Sequence, residues 1–182
     1  MMQMEIKHLA HASYRVSDMD QSIEFYTEGL GLKEIFRIYA EELMEINLRM
    51  NHLNSRQERM LLEKMEEHRQ ETAIVYLEIT GHEFIELFAG SKDLEFCRPD
   101  QRQNGLLHLA LEVDDIKKAR EEMIKKGIRV TSEINYGPDN TWQFWLEDPD
   151  GNEIELMEYT QDSMQMNGGS GNKQMAAGAS GV

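Results

Sequence analysis

The chain has 182 residues, 40% of them hydrophobic, which is enough for one domain or two small modules around a core. Its net charge of −15, with no basic stripe, argues against binding to nucleic acid or to an acidic membrane surface. No apolar run approaches the roughly 20 residues that span a bilayer, the amino terminus does not resemble a signal peptide, and Cys97 is the single cysteine. We therefore expect a cytoplasmic protein that binds neither nucleic acid nor membrane.

The first half of the chain predicts a strand, a helix and two further strands. Residues 7–16 alternate in polarity as a strand does, and Asp18 is placed to cap a helix that ends near Gly29. Residues 41–71 are rich in Glu, Arg, Met and Leu and contain no Gly or Pro, which favours a helical insert. Beyond the insert, two strands are expected on either side of a turn at Gly81.

The second half repeats this order of elements. A strand at residues 106–113 precedes a helix at 116–126, which Asp115 is placed to cap. Two strands follow at residues 141–146 and 153–159, and an Asp-Pro-Asp-Gly sequence between them predicts a tight turn.

Two sequence patterns occur twice, in the same order. One places Val five residues and Asp seven residues after a histidine, and the other runs from Gly through Glu to Ile-Glu-Leu; their copies begin at His11 and His108, and at Gly81 and Gly151. The repetition predicts a duplicated unit within a single domain at residues 5–160. Its boundaries are module one at 5–92, with the helical insert at 41–71, and module two at 104–160.

The chain changes character after Tyr159. Residues 161–182 consist mainly of Gly, Ser, Asn, Gln and Met, and include no aromatic residue. Such a segment buries too little apolar surface to offset the entropy of ordering it. We therefore expect a disordered tail at 161–182.

Each repeat places one histidine and one glutamate on predicted strands, between apolar neighbours. An ionisable group in that setting must be paired, neutralised or bound to a metal. Each of these residues alone is more often structural, but their repetition at equivalent positions is hard to explain by solvation. Two imidazoles and two carboxylates predict one divalent metal site, with the ligands His11, Glu86, His108 and Glu155.

These motifs are similar to those of a known family. His11-Ala-Ser-Tyr-Arg-Val-Ser-Asp-Met, with Phe25-Tyr-Thr and Leu30-Gly-Leu, resembles the first module of the glyoxalase I family, within the vicinal oxygen chelate superfamily. Trp145-Leu-Glu-Asp-Pro-Asp-Gly-Asn-Glu-Ile-Glu-Leu resembles the end of the second module. The resemblance covers about residues 7–159 apart from the insert, and it implies an α+β fold of paired βαβββ modules.

The resemblance also implies a chemistry. Family members hold zinc or nickel and act as lyases or isomerases on the adduct of a small 2-oxoaldehyde with a thiol, commonly glutathione. It implies that Glu155 is the catalytic base, with Glu86 as its near-symmetric partner, and that Arg15 anchors the substrate. It further implies a homodimer in which each metal site combines ligands from both chains.

Other functions remain open on the sequence alone. Glyoxalase I usually carries an Asn shortly after its first ligand Glu, whereas Leu-Phe-Ala-Gly follows Glu86, so the thiol is not identified. The alternatives are a binding protein that sequesters a ligand, as in bleomycin resistance, or a dioxygenase, an epimerase or a thiol transferase on the same scaffold. Four candidate ligands disfavour a pure binding protein, and the presence of Glu86 favours the isomerase or lyase.

Overall fold

The computed structural model describes residues 5–50, 55–65, 68–91, 94 and 105–168. The chain divides into two compact units, Met1–Glu95 and Phe96–Val182. Each unit contains one four-stranded mixed sheet, and the two sheets have the same strand connectivity. The predicted α+β fold of two paired modules is confirmed.

Unit one consists of a sheet, a helix on one of its faces and a helical insert. Its elements are β1 (His11–Val16), α1 (Met19–Glu24) with a π-type turn (Phe25–Gly29), β2 (Lys33–Tyr39), α2 (Ala40–Met50), α3 (Ser55–Met65), β3 (Thr72–Thr80) and β4 (Glu83–Ala89). The strands lie in the order β1-β4-β3-β2. β1 is parallel to β4, and the other neighbours are antiparallel.

The core of unit one lies between the sheet and α1. Alternate residues of the strands point to this face and are fully or almost fully buried: Val16, Val75, Leu77, Ile85 and Leu87. Tyr26, which follows α1, is also fully buried, and its ring lies 6.4 Å from that of Tyr14. Because strand side chains alternate between faces, the residues between these core positions lie on the opposite face of the sheet.

The predicted cap of the first helix is present. Asp18 has extended backbone, and its carboxylate accepts a hydrogen bond of 3.2 Å from the Gln21 amide. This bond satisfies one of the amides that an α-helix leaves free in its first turn. The helix ends through a π-type turn, and Gly31 then adopts a positive φ of 82°, a conformation that glycine tolerates at little cost.

The helical insert lengthens the connection between β2 and β3. Its base is closed by backbone hydrogen bonds from Ala40 to Glu71 and from Glu41 to Arg69. Met44 is buried, whereas Ile46 and Met50 on the same helix are exposed. The insert is therefore anchored at its base, and much of the apolar surface of α2 faces outward.

Unit two repeats the arrangement without the insert. Its elements are β5 (Leu109–Glu112), α4 (Ile116–Lys125), β6 (Asn135–Tyr136), β7 (Trp142–Glu147), β8 (Glu153–Glu158) and α5 (Met164–Asn167). The strand order is β5-β8-β7-β6. As in unit one, the strand that comes first in the sequence, β5, is parallel to the strand that comes last, β8. Asp115 caps α4 as predicted, because its carboxylate accepts hydrogen bonds from the amides of Lys117 and Lys118.

The turn between β7 and β8 is organised by a buried carboxylate. Asp148 is 5% exposed and accepts hydrogen bonds from the Asp150 amide and from both the backbone and the side chain of Asn152. Gly151 has a positive φ of 86°. The Asp-Pro-Asp-Gly sequence therefore forms the tight turn that it predicts.

The prediction of a disordered tail at 161–182 is wrong for its first eight residues. Ser163 is fully buried and donates a hydrogen bond to the Asn140 carbonyl, and the Thr160 amide donates to the Ser163 hydroxyl. The Met164 amide donates to the Asp139 carbonyl at the start of α5. Polar contacts hold this segment, and its composition gives no sign of them. The rest of the predicted tail, 169–182, lies outside the described residues.

None of the helices in the described ranges combines the length and the apolar character that a membrane span requires.

Candidate metal centre

The first candidate ligand pair lies on neighbouring parallel strands of unit one. His11 is the first residue of β1, and Glu86 lies in the middle of β4, where it pairs with Ser13. The His11 Nε2 and Glu86 Oε2 atoms are 3.5 Å apart. Glu86 is only 8% exposed, whereas the imidazole is 43% exposed. The carboxylate is thus buried while the imidazole remains accessible.

The second pair is built in the same way in unit two. His108 directly precedes β5, and Glu155 lies in the middle of β8, where it pairs with Ala110. The His108 Nε2 and Glu155 Oε2 atoms are 3.2 Å apart. Glu155 is also 8% exposed, and the His108 side chain is 32% exposed. In both units the residue two positions after the histidine pairs with the glutamate.

One detail of the sequence prediction is wrong. Both histidines were expected in mid-strand, but His11 opens β1 and His108 stands just before β5. A side chain at the end of a strand has fewer neighbours, which accounts for the partial exposure of both rings. The two glutamates do occupy central strand positions.

Aromatic rings surround the pair in unit one. Tyr76 pairs with Glu86 across the antiparallel strands β3 and β4. Its ring centroid lies 5.8 Å from that of His11 in an edge-to-face arrangement, and Phe36 stacks on it at 4.7 Å. Phe84 approaches the same ring at 6.0 Å. One side of the His11–Glu86 pair is therefore lined by packed aromatic rings.

One hydroxyl group is bonded to the Glu86 carboxylate, and a second residue faces it. The Ser13 hydroxyl donates a hydrogen bond of 2.6 Å to Glu86 Oε2, and Tyr76 lies opposite Glu86 across the antiparallel strand pair. Burial raises the pKa of Tyr76 to about 12, and the neighbouring Glu86 carboxylate acts in the same direction. Tyr76 therefore keeps its proton at neutral pH and remains a hydrogen-bond donor.

Different residues surround the pair in unit two. Trp145 pairs with Glu155, the position that Tyr76 holds opposite Glu86, and its ring lies 4.7 Å from that of His108, edge to face. Burial raises the pKa of the Glu155 carboxyl, the charge of Asp139 adds to this effect, and His108 opposes it. The Glu155 carboxylate is therefore a better proton acceptor than an ordinary glutamate.

Arg15 lies on the same face of β1 as His11 and Ser13, and it is exposed. Its stem packs against Gly90, whose amide donates a hydrogen bond of 2.8 Å to the Val16 carbonyl. A Cβ atom on Gly90 would lie 2.7 Å from that carbonyl oxygen and 2.9 Å from Arg15 Cγ. Gly90, which was not identified from the sequence, thus leaves room for the Val16 carbonyl and the Arg15 stem beside it.

The two pairs suit a divalent metal in their donor types. Imidazole nitrogen and carboxylate oxygen are common ligands of zinc and related ions, and each histidine lies beside a glutamate. In the part of the chain that the structure describes, no three His, Cys, Asp or Glu side chains gather into one cluster that could hold a metal. Each unit therefore holds one His–Glu pair of candidate ligands, which is called a half-site here.

Comparison with known proteins gives a family match over most of the chain. Residues 8–156 match the Glyoxalase/Bleomycin resistance protein/Dioxygenase superfamily. "Glyoxalase I" from Saccharomyces cerevisiae is 28% identical over 167 residues, which are 91% of this chain and 49% of the relative. "Probable lactoylglutathione lyase, chloroplastic" from Arabidopsis thaliana is 28% identical over 155 residues, or 84% and 36%. The chain spans about half or less of the length of these two relatives.

Solved structures share the fold. A glyoxalase family protein from Enterococcus faecalis superposes with a TM-score of 0.59 and 21% identity, covering 84% of this chain and 98% of that one. A lactoylglutathione lyase from Agrobacterium tumefaciens superposes with a TM-score of 0.52 and 16% identity, covering 84% and 94%.

The contact between Gly90 and β1 can be tested by mutation. We expect Gly90→Ala to lower the free energy of unfolding by about 1–3 kcal/mol, because the new methyl group meets a backbone carbonyl that cannot rotate away. Urea denaturation measures the change. Gly105→Ala is the matched control, since its Cβ atom would have no neighbour within 4 Å. Equal denaturation midpoints for the two variants would contradict the expectation.

Proposed function

Because the chain belongs to the glyoxalase/bleomycin resistance protein/dioxygenase superfamily, we propose that it is a metal-dependent lyase of the glyoxalase type. Its substrate would be the adduct of a small 2-oxoaldehyde with a thiol. The observation that carries the proposal is the pair of His–Glu half-sites at equivalent positions of two similar units. The activities in the names of the yeast and plant relatives support the same reaction class.

The metal ligands in this proposal are the four residues His11, Glu86, His108 and Glu155. Their nitrogen and oxygen donors suit zinc or nickel. Both carboxylates are buried, so a cation would relieve the cost of keeping them charged there. When bound, the metal would polarise the oxygen atoms of the substrate and stabilise negative charge that develops on them.

Glu155 is the proposed general base. It would remove the carbon-bound proton of the adduct and return a proton to the neighbouring carbon. Its carboxylate is buried and lies 3.2 Å from the His108 Nε2 atom. Glu86 is its near-symmetric partner, and the rings of Tyr76 and Phe36 stack beside it.

Arg15 is the proposed substrate anchor. It is exposed on the strand face that carries His11, and a guanidinium group can bind a carboxylate through two parallel hydrogen bonds. A thiol that carries a carboxylate, glutathione among them, would fit this role. Assays of the methylglyoxal adducts of glutathione and of other thiols identify which one is used.

The metal site predicts the behaviour of one histidine variant. We expect His108→Ala to weaken the binding of Zn(II) or Ni(II), because it removes a direct ligand. Loss of a residue that only supports a ligand lowers metal affinity by roughly 10–100-fold, so the loss here should be at least that large. Competition with a chromophoric chelator measures the affinity. His68→Ala, at an exposed histidine paired with Glu71, is the control and should bind as the wild type does. Full metal occupancy in His108→Ala would refute the ligand assignment.

The two glutamates should differ in turnover. We expect Glu155→Gln to lower kcat by roughly 10²–10⁴-fold, the range for loss of a general base, and by more than Glu86→Gln does. Metal content is measured in both variants, so that loss of the metal is not mistaken for loss of the base. Glu153→Gln, at an exposed position on the same strand, is the control. A larger loss in Glu86→Gln would reverse the assignment.

The resemblance to glyoxalase I also supports a homodimer, in which each metal site combines ligands from both chains. Sedimentation velocity should then give a mass close to twice the 21.2 kDa of the chain. A fully active monomer would contradict this assembly.

A further inference from the structure

The two half-sites differ at the residues that face their glutamates. Glu86 has Ser13 on one side and Tyr76 on the other, across the parallel and the antiparallel strand pairs. At the corresponding positions, Glu155 has Ala110 and Trp145. The backbone framework is the same, so the difference lies in the side chains.

These side chains change how each carboxylate is held. Glu86 accepts a hydrogen bond from the Ser13 hydroxyl, and the Tyr76 side chain faces it from the neighbouring antiparallel strand. Ala110 carries no hydrogen-bonding group, and the Trp145 ring meets His108 edge to face. The Glu155 carboxylate is bonded to His108, which is itself a candidate ligand. Glu86 thus faces two hydroxyl-bearing residues that are not candidate ligands, at positions where Glu155 has an alanine and a tryptophan.

The two residues that face Glu86 are themselves held in place. Ser13 lies within β1, in register with Glu86 on β4. The Tyr76 ring is stacked on Phe36 at 4.7 Å. It also makes edge-to-face contacts with His11 at 5.8 Å and with Phe84 at 6.0 Å. Packing of this kind restricts the rotamers of the Tyr76 ring on the face of the sheet that carries Glu86.

We propose that Ser13 and Tyr76 are positioning residues, which hold Glu86 as a fixed carboxylate, and that Glu155 is mobile because it lacks both. The second part, in which the mobile Glu155 acts as a base, rests on the proposed function. A group that leaves the metal to accept a proton must be loosely held, whereas its partner must keep the ion in place. Ser13 corresponds to Ala110, and Tyr76 corresponds to Trp145. These two differences between the repeats assign the fixed role to Glu86 and the mobile role to Glu155.

Metal affinity tests the positioning of Glu86. In the full-length chain, we expect Ser13→Ala and Tyr76→Phe each to weaken Zn(II) binding by about 10–100-fold, the usual cost of removing an outer-shell partner of a ligand. Ser13→Thr keeps the hydroxyl group and should bind Zn(II) as the wild type does. Competition with a chromophoric chelator gives the affinities, and thermal melting of the apoprotein shows that each variant is folded.

Kinetics test the mobility of Glu155. Ala110→Ser places a hydroxyl group opposite Glu155, in the register that Ser13 has opposite Glu86. We expect kcat to fall by about tenfold or more, with KM unchanged and with Zn(II) affinity unchanged or higher, because the base is now tied down. A merely structural effect would instead lower Zn(II) affinity and the melting temperature together.

Three outcomes would overturn the inference: wild-type Zn(II) affinity in both Ser13→Ala and Tyr76→Phe, an equal loss in Ser13→Thr and Ser13→Ala, and unchanged kcat in Ala110→Ser. A wild-type chain that binds Zn(II) but does not isomerise any thiol adduct of methylglyoxal would overturn the proposed function instead. The affinity comparison then decides by itself whether Ser13 and Tyr76 position Glu86.

Discussion

The parallel pairing of the first and last strands of each unit is the constraint on which both half-sites depend. This pairing brings together residues far apart in the chain, since His11 and Glu86 belong to β1 and β4, and the whole α1-to-β3 segment lies between them. Strand side chains alternate between faces, so a register slip of one residue would turn Glu86 into the core and Ile85 or Leu87 out of it. The fully buried Ile85 and Leu87 oppose such a slip. The hydrophobic core thereby also fixes the position of the candidate ligand Glu86.

A buried carboxylate costs free energy unless it is hydrogen-bonded or paired with a cation. The two units meet this cost in different ways. Glu86 accepts a hydrogen bond from the Ser13 hydroxyl of its own sheet, whereas Glu155 depends on His108, and burial leaves the pKa of Glu155 raised. Proteins tend to break rules of stability at functional sites. Under the proposed function, the less stabilised carboxylate, Glu155, is the one that serves as the base.

The sequence predicted the features that depend on local chemistry. The caps at Asp18 and Asp115 and the turn at Asp148 follow from side chains that bond to amides two to four residues away. The duplicated His and Glu positions were visible because repetition makes weak signals stronger. β2 and β6 were missed for physical reasons: β2 carries two register irregularities that disturb its alternation, and β6 is only two residues long. Residues 161–168 were missed because composition reports apolar burial and does not report hydrogen bonds such as those of Ser163.

The roles proposed for Ser13 and Tyr76 could not be predicted from the sequence. Ser13 lies on the same face of β1 as His11, which the sequence indicates, but its contact with Glu86 depends on the register of a long-range strand pair. Tyr76 pairs with the same glutamate from a third strand, so its role appears only when the whole sheet is assembled. In the proposed mechanism one carboxylate stays on the metal while the other accepts a proton, and two identical surroundings would favour neither carboxylate for either role. The exchange of Ser for Ala and of Tyr for Trp between the repeats removes that equivalence without altering the strand pairing, so the division of labour between the carboxylates requires no change of fold.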